Sequence, residues 1–237
     1  GNECKHVTEK VGLLDMSAFA KAIVKGPGAE AWLEYIFANK MPKTIGRISL
    51  VHMLTQSGGV RSEYTVYKTG PQSYYLVSAG AFETHDHDYL FKLKPTDGSV
   101  DVTRVTTNTG VLVLAGPRSR DVLQKLTDTD LSNDSFKWLT GKKINVGYGT
   151  AEALRVNFVG ELGWELHHPI EMQNYIFDEL MKAGAEFDIK PFGIRAMDCM
   201  RLEKSYRLIP REMSIEYSAM ESALGRFVRL EKEGDFI

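Results

Sequence analysis

Residues 48–55 and 61–68 are short runs in which apolar and polar side chains intermix, and Gly58-Gly59 lies between them. That pattern predicts two strands joined by a tight turn. A further turn at Gly70-Pro71 leads into Tyr74-Tyr75-Leu76-Val77-Ser78, a third strand, so the sheet is predicted to be largely antiparallel. Residues 82–93 read as a helix. In the second half, strands are predicted at about 143–146, 151–158 and 164–167, and helices near 170–183 and 192–206. A last strand is expected at 225–230. Strands and helices mixed without strict βαβ alternation indicate an α+β fold.

Two segments share one plan. Residues 18–25 form an apolar-rich strand that ends at Gly26-Pro27-Gly28, and a helical run follows over 29–37. Residues 110–115 do the same, ending at Gly116-Pro117-Arg118 before a helical run over 119–126. Proline suits a first helical turn, where its missing N–H costs nothing, and glycine permits the corner before it. The repeat predicts pseudo-duplicated antiparallel sheets with packed helices, with subdomain boundaries roughly near 45 and 140. Gly-Pro is also a common helix entry, so the repeat speaks for architecture rather than chemistry.

Composition changes this picture little. The chain has 237 residues, enough for one large or two small domains, with 43 % hydrophobic and 25 % charged residues. A formal net charge of −2 gives no electrostatic case for nucleic acid or an anionic membrane. Cys4 and Cys199 match no metal or redox spacing. No apolar run reaches transmembrane length and no signal-peptide pattern is present, so a soluble intracellular chain is expected. The ending Gly234-Asp235-Phe236-Ile237 does not read as a natural domain end, and truncation is expected there.

Candidate chemistry centres on Gly160-Glu161-Leu162-Gly163-Trp164-Glu165-Leu166, read as closing a strand that runs over 153–159. In an extended chain Glu161, Gly163 and Glu165 face one way and Leu162, Trp164 and Leu166 the other. Trp164 belongs in a core, which turns Glu165 toward a cavity or solvent. Gly163 leaves the backbone beside it open to a flat ligand. A carboxylate there suits the paired N–H donors of a heterocycle such as a pterin. A Gly-rich turn with two solvated acids fits the same residues. Glu63 sits in mid-strand, with alternation placing Arg61, Glu63 and Thr65 on one face. It is a candidate acid or base if partly buried; a cross-strand ion pair on a wet face is the other option. Thr84-His85-Asp86-His87-Asp88 has the wrong spacing for a metal on a helix and reads as a solvated polar face. His167-His168, beside Glu165, suits a pocket rim. On the helix over 192–204, Asp198 and Arg201 can pair, and the methionines read as core filling. No P-loop, dinucleotide Gly fingerprint, Gly-x-Ser-x-Gly elbow or zinc spacing occurs.

Six motifs in order carry a resemblance over nearly the whole chain: Val11-Gly12-Leu13-Leu14-Asp15, Gly26-Pro27-Gly28-Ala29-Glu30-Ala31, Gly58-Gly59-Val60, Leu114-Ala115-Gly116-Pro117, Gly160 to Glu165, and Arg201-Leu202-Glu203-Lys204. The chain resembles the folate-binding aminomethyltransferases, the T-protein of the glycine cleavage system and its relatives. It looks most like the folate domain of dimethylglycine and sarcosine dehydrogenases. The resemblance implies a T-protein-like fold without the family's carboxyl-terminal β-barrel. It implies that Glu165 holds the pterin of tetrahydrofolate and that Glu63 is the catalytic base, one methylene longer than the aspartate many members carry. Tyr75 matches a tyrosine lining the folate site, and Phe158, Met197 and Met53 fall at further folate-site positions. Phe158 stands where the T-proteins have a tyrosine, Met197 replaces an arginine, and Ala79 replaces an asparagine. These departures disfavour glycine cleavage itself and leave the dehydrogenase-domain reading standing.

The activity so implied is tetrahydrofolate-dependent capture of an aminomethyl or iminium group, giving 5,10-methylenetetrahydrofolate. FAD would sit only on a partner or fused flavoprotein dehydrogenase domain. The small-molecule partners would be the folate and a methylated glycine or its iminium, in bacterial cytoplasm or the mitochondrial matrix. Alternatives are a non-catalytic folate-binding module and a folate-dependent demethylase. The first is disfavoured because Lys204-Ser205-Tyr206-Arg207 carries no cysteine where the iron–sulfur-supporting relatives do.

Overall fold

The computed structural model describes residues 1–232 and Gly234. In chain order the elements are helix α1 (Asn2–Glu9), strands β1 (Gly12–Asp15) and β2 (Ala20–Lys25), helix α2 (Ala29–Ile36), strands β3 (Ile48–Leu54), β4 (Val60–Gly70) and β5 (Ser73–Ser78), and helix α3 (Glu83–Leu93). There follow β6 (Asp101–Arg104), β7 (Thr109–Ala115), α4 (Ser119–Gln124), β8 (Gly141–Val146), β9 (Gly149–Leu154), β10 (Gly163–Pro169), α5 (Gln173–Gly184), β11 (Lys190–Pro191) and α6 (Ile194–Glu203). Two units emerge, one built from residues 1–17 and 107–206, the other from 18–106 and the segment from 207 onward.

The α+β duplication is visible in the strand order. The second unit's sheet runs β3-β4-β5-β2-β6, and the first unit's, read from its other edge, runs β8-β9-β10-β7-β1-β11. Position by position, β3 matches β8, β4 matches β9, β5 matches β10 and β2 matches β7. The strand beside β2 is β6, which follows α3, whereas the strand beside β7 is β1, from the amino terminus. The Gly-Pro corners match in detail. Gly26 and Gly116 have φ of 125° and 124°, a region that disfavours any residue with a Cβ. Ala29 and Ser119 each donate their N–H to the corner glycine's carbonyl at 3.0 Å. Pro27 and Pro117 stand in that turn, two residues ahead of the helix, rather than inside its first turn as predicted.

Each sheet buries one face under two helices. In the second unit Trp32, Leu33 and Ile36 of α2 and Leu90 of α3 meet Val51, Met53, Tyr64, Val66 and Leu76. In the first, Val122 and Leu123 of α4 and Ile176 and Leu180 of α5 meet Leu112, Leu114, Trp164 and Leu166. The first unit's opposite face carries a second cluster, in which Phe192, Ala196, Met197 and Met200 at and along α6 pack on Leu14 and Val113. Among the described residues no helix is long and apolar enough to cross a membrane.

Several expectations are corrected. Residues 225–230 form no strand: Gly225–Phe227 is a 3-10 turn that tucks Leu224 and Phe227 into one small cluster with Leu54 and Val60. The strand expected over 151–158 stops at Leu154, because Asn157 folds the chain: its Oδ1 accepts the N–H groups of Val159 and Gly160, and its Nδ2 donates to Glu161 O. The helix expected over 192–206 is shorter, Ile194–Glu203, and the stretch 170–172 is a 3-10 turn ahead of α5. Arg61 does not share a face with Glu63, because a bulge between Met53 and Leu54 in the β3–β4 register leaves it as the extra residue. Its guanidinium lies 3.7 Å from the ring centre of Tyr89, on the α3 side. Of the ending 234–237, residues 235–237 lie outside the described residues.

The second unit also holds a charged network off the predicted site. Glu30 accepts hydrogen bonds from Lys43 at 2.8 Å, Lys68 at 2.6 Å and the Tyr74 hydroxyl at 2.5 Å. The Lys43 bond, then those from Lys68 and Tyr74, hold its carboxyl down at about 2. A lowered carboxylate pKa contributes stability above the unfolded value of roughly 4.3, which is lost as pH falls toward the folded value. Glu30→Gln is therefore expected to melt below wild type at pH 6, with the gap narrowing between about pH 4.5 and pH 2. A gap that is constant across thermal melts in that window would show that the network adds nothing.

Candidate functional site

Glu63 lies on β4 directly opposite His52 of β3. The Nε2 of His52 is 3.0 Å from Glu63 Oε1; the carboxylate side chain is 24 % exposed and the imidazole 1 %. A carboxylate only accepts, so Nε2 carries the hydrogen. The ring tilts against Phe227, with centroids 5.4 Å apart. Glu63, Thr65 and Tyr67 alternate onto the face away from the helices, and Tyr75, opposite Tyr67, shares it. Tyr67 and Tyr75 are buried, so that face is not the wet surface the ion-pair reading required. Met53 is placed on the other face, fully buried against Val51 and Tyr64.

Glu165 lies on β10, between Val113 of β7 and Leu154 of β9. It is 7 % exposed, and His167 Nε2 approaches its Oε2 at 3.3 Å. Trp164 points the other way, into the helix-packed core, as alternation predicts. Glu161 is not on the strand, which begins at Gly163; it pairs with Lys204 at 3.3 Å. Gly163 does not open the backbone to a ligand either. A Cβ there would come 2.3 Å from Leu114 O, so glycine is needed for strand β7 to approach. Phe158 and Met197 belong to the α6-side cluster with Val113, the residue opposite Glu165. Phe158 also stacks on Tyr206, centroids 6.1 Å apart. The structure thus brings Glu165, Phe158 and Met197 to one face of the first unit, and Glu63 and Tyr75 to one face of the second.

The duplication links these two faces. Tyr75 pairs with Ile23, three residues before the corner Gly26, and Glu165 pairs with Val113, three residues before Gly116. The two folate-site candidates therefore occupy one equivalent position on equivalent strands, each away from its helix-packed core.

Other flagged residues have structural roles. Asp86 is buried, not solvated: its Oδ1 accepts from Ser62 Oγ at 2.6 Å, joining α3 to β4. His168 is buried, which lowers its pKa, and bonds Leu166 O at 2.9 Å and the Gln173 amide at 2.7 Å. Asp198 and Arg201 pair at 2.8 Å, with the guanidinium fully buried. Among the described residues no group of three His, Cys, Asp or Glu side chains is placed to hold a metal. The buried histidines His52 and His167 each approach one oxygen of a carboxylate. His167 was flagged by its position, whereas His52 was missed.

With this geometry in place, the comparisons assign the class. Residues 1–232 match the GCVT N-terminal domain, and the chain belongs to that family. It is 39 % identical over its whole length to mouse mitochondrial dimethylglycine dehydrogenase, and 33 % identical over 99 % of its length to the aminomethyltransferase of Listeria monocytogenes serotype 4b. It spans 27 % of the first relative and 63 % of the second. The glycine cleavage system aminomethyltransferase T of Bartonella henselae superposes with a TM-score of 0.85 at 21 % identity, covering 97 % of this chain and 61 % of that one. At that identity the likeness concerns the fold, which is the T-protein fold.

Proposed function

We propose that this chain is the folate-binding portion of an enzyme that captures a one-carbon group from a methylated glycine on tetrahydrofolate. The observation that carries this reading is the 39 % identity, across the whole chain, to a dimethylglycine dehydrogenase. Site chemistry supports it. Glu165 is a nearly buried acceptor on a face with Phe158 and Met197, which suits a flat ring bearing N–H donors. When bound, tetrahydrofolate supplies the nucleophilic nitrogens that take up the one-carbon unit. Glu165 orients the ring by accepting its N–H groups. Glu63, tethered through Oε1 and partly exposed, takes the proton that such a nitrogen sheds. Tyr75 is the corresponding folate-contact candidate of the second unit. A flavoprotein domain, fused or separate, would generate the iminium.

Calorimetric titration of the full-length protein with tetrahydrofolate tests the reading. Wild type is expected to bind, Glu63→Ala to bind comparably, and Glu165→Ala to lose at least tenfold in affinity, the order expected when a charged hydrogen-bond acceptor is removed. No heat with wild type would end the proposal.

A further inference from the structure

We infer that His52 is a positioning residue that holds Glu63 in its working rotamer, an inference that rests on the transfer reading above. His52 is 1 % exposed, yet its ring has a single polar commitment among the described residues. Nε2 faces Glu63 Oε1 at 3.0 Å, while the buried Nδ1 has no hydrogen-bond partner. Burying an imidazole with one bare nitrogen is unfavourable, and nothing else in a packed core calls for a polar ring there. The seat is rigid. Phe227 leans on the ring at 5.4 Å, and the backbone carbonyl of His52 accepts the N–H of Ala38 at 2.9 Å. A rigid donor on Oε1 fixes a flexible glutamate and leaves Oε2 without a protein partner among the described residues, turned over to a ligand. Glutamate has one more rotatable bond than aspartate, so a tether has more to restrain.

The tether also sets the tautomer. With the hydrogen on Nε2, the bond occupies one carboxylate oxygen and leaves the second free to accept a proton. No step requires His52 to gain or lose a proton itself.

The test uses the full-length protein. His52→Leu is expected to lower the rate constant of methylenetetrahydrofolate formation by about 10- to 100-fold, the scale of a misplaced reacting group, while tetrahydrofolate affinity changes less than about twofold. His52→Gln, whose amide can donate to Oε1, should recover most of that loss. Nitrogen-15 NMR of histidine-labelled wild type should show His52 as the Nε2–H tautomer, with its signal shifting in Glu63→Gln. An Nδ1–H tautomer, a His52→Leu variant as fast as wild type, or a His52→Gln variant as slow as His52→Leu overturns the inference. The NMR arm needs no turnover, so it stands if His52→Leu fails to fold. Absence of any folate-dependent transfer in wild type sinks the proposed function instead, and the positioning role with it, while the NMR still reports the pair.

Discussion

Glu63→Gln is expected to slow folate-dependent transfer by about 10²–10⁴-fold, the usual scale of general-base catalysis, with tetrahydrofolate affinity left within about twofold of wild type. Glutamine is the informative replacement. Its carbonyl oxygen can still accept the His52 hydrogen bond seen at 3.0 Å, so the tether and the packing around it survive. What disappears is the second oxygen's ability to take a proton. In free-energy terms the loss corresponds to roughly 2.7–5.5 kcal/mol of barrier. Single-turnover measurement of methylenetetrahydrofolate in the full-length protein separates this step from product release. A rate within threefold of wild type would remove Glu63 from the chemistry and leave it a surface partner of His52.

Much of the fold was legible because local patterns and tertiary packing agree. The short apolar-rich runs became β3, β4 and β5, and the two Gly-Pro corners became turns of matching φ. What failed had identifiable physical causes. The Asn157 side chain supplies hydrogen bonds that end the strand early, a competition that hydropathy does not register. The tail, 225–230, has the apolar content of a strand, yet Leu224 is buried and Phe227 partly buried three residues on, the spacing of a turn. Later on, Lys232 caps the end of α2 by donating to Phe37 O at 2.8 Å and Asn39 O at 3.1 Å. Only three-dimensional contact selects that arrangement.

At the site, both acids and His167 were legible in the sequence and His52 was not. A two-residue Gly58-Gly59 loop would have set Leu54 opposite Glu63. The actual loop spans Thr55 to Gly59, with Gly59 donating to Thr55 Oγ1 at 3.0 Å, and Arg61 bulges. The register moves by two residues, which keeps Glu63 on its face but exchanges Leu54 for His52. Knowing the turn would have found the pair. Gly163 was misread for a related reason: an absent side chain looks the same in sequence whether it makes room for a ligand or for a neighbouring strand.

Trp164→Ala should destabilise the chain by about 3–5 kcal/mol, the range for removing a large buried aromatic. The indole is fully buried near the start of β10, edge-on to Phe136 with centroids 6.1 Å apart. Arg120 and Arg155 each place a guanidinium 5.8 Å from its ring. Burial lowers the pKa of Arg155, with Arg120 adding to the effect, and the ring's negative face offsets part of that cost. Both arginines also donate to Asn133 Oδ1, at 2.7 and 2.6 Å, and so pin the loop that carries Phe136. Loss of the indole thus removes packing and leaves two cations facing a cavity. Trp164→Phe, which keeps an aromatic face, should cost distinctly less. Because Trp164 and Glu165 are adjacent and point to opposite faces, the anchor of the core also fixes the presentation of the acid. Urea unfolding supplies the check, and a Trp164→Ala midpoint equal to wild type would mean that β10 is held by its backbone ladder alone.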